Sequence, residues 1–134
     1  MFHYYPASET CPETTHNAFV ATVPEGIATV PELAGALNRA LRFPGWSGKN
    51  FDALWDNLRT LDTVKEHDVV VVHRAFPNLD GDDAGVYAGL LRDVVLFWRR
   101  HAKQHAFQAW FPESDREKIK ALLDTMPPYE EEDQ

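Results

Sequence analysis

Apolar residues follow two kinds of pattern along this chain, and the two kinds alternate. Short continuous runs rich in β-branched and aromatic residues are typical of strands. Residues spaced three or four positions apart are typical of one apolar helix face. The runs that predict strands are 18–23, 69–72 and 106–111, and the periodic segments that predict helices are 29–41, 50–61, 84–104 and 114–123. The predicted order is therefore β-α-α-β-α-β-α.

Strands joined by helical crossovers pair in parallel, so this order predicts an α/β fold, a small three-stranded parallel sheet with packed helices. The four valines at 69–72 suit a central strand, because such a strand is covered on both faces. One domain is predicted over residues 18–126. A polar N-terminal extension (1–17) precedes it, and a disordered acidic tail (127–134), which begins with two prolines, follows it.

Net charge and the single cysteine narrow the class of protein. The 134 residues carry a formal charge of −8, which favours a positively charged partner and disfavours nucleic acid. Cys11 cannot form an internal disulfide, which favours a reducing compartment. The sequence contains no signal-peptide pattern and no run near the roughly 20 apolar residues that span a bilayer. We expect a cytoplasmic protein without membrane contact, monomeric when free.

The second predicted helix carries the most informative polar pattern. On a helical wheel its apolar residues form one stripe, while Asp52 and Asp56 lie four residues apart on another face. Trp55 lies between the two faces, and Lys49 and Arg59 flank the acids. On spacing alone, two ordinary surface ion pairs are the simpler interpretation, and such pairs contribute little to stability.

A longer string around this helix carries a specific resemblance. From Pro44 to Leu58 the sequence reads PGWSGKNFDALWDNL, which resembles the barstar family motif P-x-aromatic-x-G-x-N-hydrophobic-D-A-L-W-D-x-L without a gap. A weaker similarity extends over about residues 19–111. The resemblance implies three parallel strands with helices, and an inhibitor that holds an intracellular ribonuclease inactive.

The resemblance also implies which residues contact the ribonuclease. The loop supplies an aromatic and a glycine, and the helix supplies its first asparagine, two carboxylates and a tryptophan. In this chain these residues are Trp46, Gly48, Asn50, Asp52, Trp55 and Asp56. A ribonuclease holds phosphate with cationic side chains, so we expect the Asp56 carboxylate to replace the phosphate through charge-assisted hydrogen bonds, with Asp52 at the rim.

Three positions depart from the family pattern. The resemblance implies a further contacting acid on a later helix, where this chain aligns Arg99 or Arg100. An aromatic that follows the motif helix in the family falls at Leu61, and Arg59 adds a positive charge beside the acids. These departures leave a second interpretation open, an immunity or interaction module for a non-ribonuclease toxin or another basic protein.

Catalysis, metal binding and nucleic-acid binding are weaker interpretations. Asp52 and Asp56 share an exposed helix face, whereas a catalytic acid–base pair needs an environment that pushes the two pKa values apart. His101 and His105 have a metal-ligand spacing and His73 is a candidate third ligand, but the carboxylate or cysteine ligands of a closed site cannot be located in the sequence. The basic cluster at 99–103 is small against the net charge. We therefore expect no catalytic residue, no cofactor and no metal.

Overall fold

The computed structural model describes residues 1–6 and 17–128. These residues form four strands, four α-helices and one turn of 3-10 helix. The strands are β1 (His3–Tyr5), β2 (Phe19–Val23), β3 (Asp68–His73) and β4 (Ala106–Pro112). The helices are α1 (Val30–Ala40), α2 (Phe51–Thr60), α3 (Asp83–Arg100) and α4 (Arg116–Asp124), and the 3-10 turn is Glu113–Asp115.

The four strands form one parallel sheet in the order β1-β4-β3-β2. Strand β3 is internal, with Val71 opposite Ala21 of β2 and opposite Ala109 of β4. Helix α1 packs against β2, and α3 packs against both β4 and α2. The predicted α/β class with a parallel sheet and packed helices is therefore confirmed, and so is the internal position of the valine run.

The predicted count of three strands is wrong, because β1 adds a fourth strand beside β4. Tyr4 lies opposite Phe111, and the Phe2 and Phe111 ring centroids are 5.3 Å apart. The buried Tyr5 donates a hydrogen bond from its hydroxyl to the carbonyl of His73. A strand of three residues is too short to show the alternation on which sequence prediction depends. Strand β1 lies within residues 1–17, which the sequence pattern predicts to be an N-terminal extension. The domain boundaries at residues 18 and 126 stay a prediction.

The two faces of the sheet bury different clusters. On one face, Val69 and Val71 belong to the main core together with the apolar faces of the helices. On the opposite face, Val70 and Val72 form a smaller cluster with Tyr5. Successive side chains of a strand point to opposite faces, which explains why all four valines are buried.

Two features discussed from the sequence lie outside the described residues, namely Cys11 and the acidic stretch 129–134. Of the predicted tail, the structure describes only Pro127 and Pro128. Among the helices that it does describe, none combines the length and apolar character that crossing a membrane requires.

Candidate functional site

Helix α2 has clear local signals at both ends. The side-chain oxygen of Asn50 accepts a hydrogen bond from the backbone N–H of Ala53 at 2.8 Å, which is a helix N-cap. At the other end, Leu61 takes a left-handed conformation with φ of 47°, which stops the helix. Leu54, Leu58 and Leu61 are fully buried. The opposite, polar face of α2 therefore points to solvent.

A buried tryptophan fixes α2 against α3. The indole N–H of Trp98 donates a hydrogen bond to the carbonyl oxygen of Leu58 at 2.8 Å. Carbonyl groups in the last turn of a helix have no hydrogen-bond partner within the helix. The Trp98 indole therefore supplies the partner that the Leu58 carbonyl would otherwise lack in the protein interior. The hydrogen bond holds α2 in place against α3, and therefore also fixes the position of the polar face of α2.

The loop before α2 is tied to the helix by short-range contacts. The side-chain amide of Asn57 donates a hydrogen bond to the hydroxyl of Ser47 at 3.2 Å. A Cβ atom at Gly48 would lie 3.1 Å from the side-chain amide of Asn50, so glycine leaves room for the N-cap. On this loop, Trp46 is 86% exposed. A large apolar side chain so exposed on a held loop is typical of a binding surface.

One arginine contacts both Asp56 and Trp55. Nη2 of Arg59 lies 2.9 Å from Oδ1 of Asp56, and the guanidinium carbon lies 4.5 Å from the centre of the Trp55 ring. A second ring, that of Phe97 in α3, lies 5.9 Å from the same carbon. The Asp56 side chain is still 73% exposed. Its carboxylate is thus oriented by Arg59 and remains able to accept hydrogen bonds from another molecule.

A groove of about 410 Å³ lies between α2, α3 and the residues that follow α4. Asp52 and Trp55 line its α2 side, and Asp93 lines its α3 side. Burial raises the pKa of Asp93, and the Arg92 guanidinium, 2.9 Å from the carboxylate, opposes that shift. The remaining wall is formed by Met126, Pro127 and Pro128. The groove therefore brings an acid of α3, Asp93, into the same lining as Asp52 of α2.

The six predicted residues share one part of the surface, on α2 and the loop that leads into it. Of the two ion pairs considered from the sequence, Asp56–Arg59 is present. In the part of the chain that the structure describes, Lys49 and Asp52 form no corresponding pair. The role of the six residues as contacts to a partner stays a prediction.

Sequence reasoning did not single out Asp93. It lies three residues after Leu90 and four before Phe97, so it is a charged residue on an otherwise apolar helix stripe, and that irregularity was the available signal. The resemblance instead places Arg99 or Arg100 where the family has a further contacting acid, which is a departure from the family pattern. Both arginines are exposed in the last turn of α3, whereas Asp93 is the α3 acid that lines the groove.

The histidines proposed as alternative metal ligands have other surroundings. His105 is buried, with Nδ1 at 3.0 Å from the carbonyl oxygen of Glu66 and its ring against Trp98. The ring of His101 lies 4.3 Å from that of Phe97. The described residues contain no group of three or more side chains placed to hold a metal ion.

Comparison with known families gives a match that contains both the loop and α2. The family model described as Barstar (barnase inhibitor) matches residues 18–111, more than half of the chain. The chain belongs to the barstar family. A search of curated proteins returns no significant match. Barstar-family proteins are inhibitors of the barnase-inhibitor type rather than enzymes, and their partner is a ribonuclease. Strand β1 and helix α4 lie outside the matched range.

Proposed function

We propose that this protein inhibits a ribonuclease by covering the enzyme's active site with the polar face of α2 and the preceding loop. The observation that carries the proposal is the exposed carboxylate of Asp56, oriented by Arg59 on an anchored helix within the barstar-family match. The exposed Trp46 beside it supports the same surface. In this proposal the free protein is a monomer in the cytoplasm, where the RNA that needs protection lies.

The proposed chemistry follows from how a ribonuclease holds its substrate. The active site must gather cationic side chains around the phosphate, and a carboxylate can accept charge-assisted hydrogen bonds from the same groups. Arg59 engages only Oδ1 of Asp56 in the ion pair, which leaves Oδ2 for the enzyme. Because the helix is already folded and anchored, little conformational entropy is lost on binding. Asp52 then lies at the rim, and Trp46 supplies apolar contact area.

The test is titration of barnase activity with wild-type protein, Asp56→Ala and a matched control, Glu113→Ala. Glu113 forms the same kind of exposed ion pair with Arg116, three residues away at 2.8 Å, but on the 3-10 turn before α4. We expect Asp56→Ala to weaken inhibition by about 100-fold or more, roughly 3 kcal/mol, because the enzyme's cationic pocket loses its partner. Glu113→Ala should weaken it less than about threefold.

The folding of Asp56→Ala must be checked alongside. Because only an exposed ion pair is lost, its free energy of unfolding should change by no more than about 0.5 kcal/mol. A folded Asp56→Ala protein that inhibits as well as wild type would contradict the proposed surface. A wild-type protein that neither binds nor inhibits barnase-type ribonucleases would contradict the proposed function.

A further inference from the structure

Arg59 is held by the residues that a cationic partner must use. Its guanidinium pairs with Asp56 at 2.9 Å and lies over the Trp55 ring at 4.5 Å. Its side chain is 35% exposed, and its Nε is buried without a hydrogen-bond partner among the described residues. The guanidinium therefore rests on the acid and the aromatic face of the proposed inhibitory surface, with part of its own bonding capacity unused.

An incoming arginine or lysine meets this side chain first. A cation that approaches Asp56 finds one carboxylate oxygen already engaged and a like charge within contact distance. An exposed ion pair is weak, so the arginine can be displaced at a modest energetic cost. Discrimination between partners often depends on such an unfavourable element, because it penalises every partner that cannot compensate for it.

We propose that Arg59 is a specificity-determining residue that occupies the place of a partner's cation on Asp56 and must leave it on binding. This inference rests on the proposed ribonuclease inhibition. It predicts that the wild-type surface binds an enzyme with a purely cationic active site less tightly than the same surface without Arg59. Partners that bind well are those whose cations engage Asp56 strongly enough to replace the guanidinium.

The chain offers a matched control for this test. Arg116 also forms an exposed ion pair three residues away, with Glu113, and its guanidinium carbon also lies 4.5 Å from an aromatic ring, that of Tyr4. Arg59→Gln and Arg116→Gln therefore remove the same charge and the same kinds of contact, but only Arg59→Gln changes α2. Binding to barnase is measured by stopped-flow fluorescence, and thermal melting verifies that each variant is folded.

We expect Arg59→Gln to bind barnase about three- to tenfold more tightly than wild type, since the competing pair is weak. Arg116→Gln should change the affinity less than about twofold. In an Asp56→Ala background, the gain in affinity from Arg59→Gln should be smaller than in the wild-type background, because no carboxylate is left for Arg59 to occupy and only its like charge remains. A merely structural role of Arg59 would not produce this dependence on Asp56.

Two results would overturn the inference while leaving the proposed function intact. If Arg59→Gln binds more weakly than wild type, the arginine is a direct contact to the enzyme. If it binds equally, the ion pair does not affect recognition. A different result, in which neither the wild-type protein nor either variant binds the ribonuclease, overturns the proposed function and the inference together.

Discussion

His73, the last residue of β3, is a buried histidine with a partner on each ring nitrogen. Its Nδ1 lies 3.1 Å from the Trp110 carbonyl oxygen and therefore carries the proton, since a carbonyl only accepts. Nε2, 2.6 Å from the Tyr87 hydroxyl, then accepts a hydrogen bond from it. The imidazole also stacks on Phe111, with 4.2 Å between the ring centroids. The neutral ring is thus part of the core, and burial lowers its pKa to about 4.

This shift makes stability depend on pH. The unfolded chain binds the proton near pH 6.5 and the folded chain only near pH 4, so stability is fully present above 6.5 and decreases as the pH falls toward 4. The decrease from this residue should reach about 3 kcal/mol. Urea denaturation between pH 7.5 and 4.5 measures it. His73→Gln, although less stable throughout, should show a shallower pH dependence, and equal slopes would assign the effect to other groups.

For single residues, the sequence predicts the helix and the face on which a side chain lies better than it predicts which side chains of other elements it contacts. The placement of Asn50, Asp52 and Asp56 on α2 could be predicted because the motif fixes their spacing and the helix period fixes their faces, while their role as contacts stays a prediction. The contact of Arg59 with Phe97 and the place of Asp93 in the groove depend on how α3 lies against α2. Arg59 and Phe97 are 38 positions apart in the sequence (97 − 59), and no local pattern encodes their contact.

Strand β1 is the element that the sequence did not predict, and it is joined to the fold by side chains on both faces. Phe2 and Tyr4 pack against the main core, while Tyr5 belongs to the smaller cluster on the opposite face. The His3 ring stacks on Trp110 of β4 at 4.7 Å. By contrast, helices α1 to α3 span 10 to 18 residues, so their apolar periodicity was visible in the sequence.

Deletion of residues 1–6 should therefore reduce the free energy of unfolding by about 2–4 kcal/mol, because it uncovers buried aromatic surface and one edge of β4. Truncation after Pro128 is the control, since it removes residues 129–134, four of which are acids, and should change stability by less than about 0.5 kcal/mol. Urea denaturation of the two shortened proteins makes the comparison. If both unfold like the full-length protein, β1 contributes no stability.

Across the whole molecule, the alternation of strands and helices was enough to predict the class of fold. Parallel strands need crossovers, and the spacing between the strand-like runs left room for helices and little else. The number of strands could not be predicted from this alternation. Strand β1, the first in the sequence, pairs with β4, the last one, and no helical crossover of the predicted order indicates that pairing. Charge is a second property of the whole chain, and at −8 it is much larger than the charge of the two α2 acids, Asp52 and Asp56.

This excess charge should act on the approach of the enzyme more than on the bound state. Exposed charges steer a partner over a Debye length, which falls from about 10 Å at 0.1 M salt to about 3 Å at 1 M. Over that range we expect the association rate constant with barnase to fall about tenfold or more, and the dissociation rate constant to change less than about threefold. Stopped-flow mixing with barnase gives the first constant, and displacement by excess unlabelled inhibitor gives the second. The opposite result, with salt acting mainly on dissociation, would mean that the ion pairs formed by Asp56 in the complex outweigh the net charge, and that the acids outside α2 do not contribute to recognition.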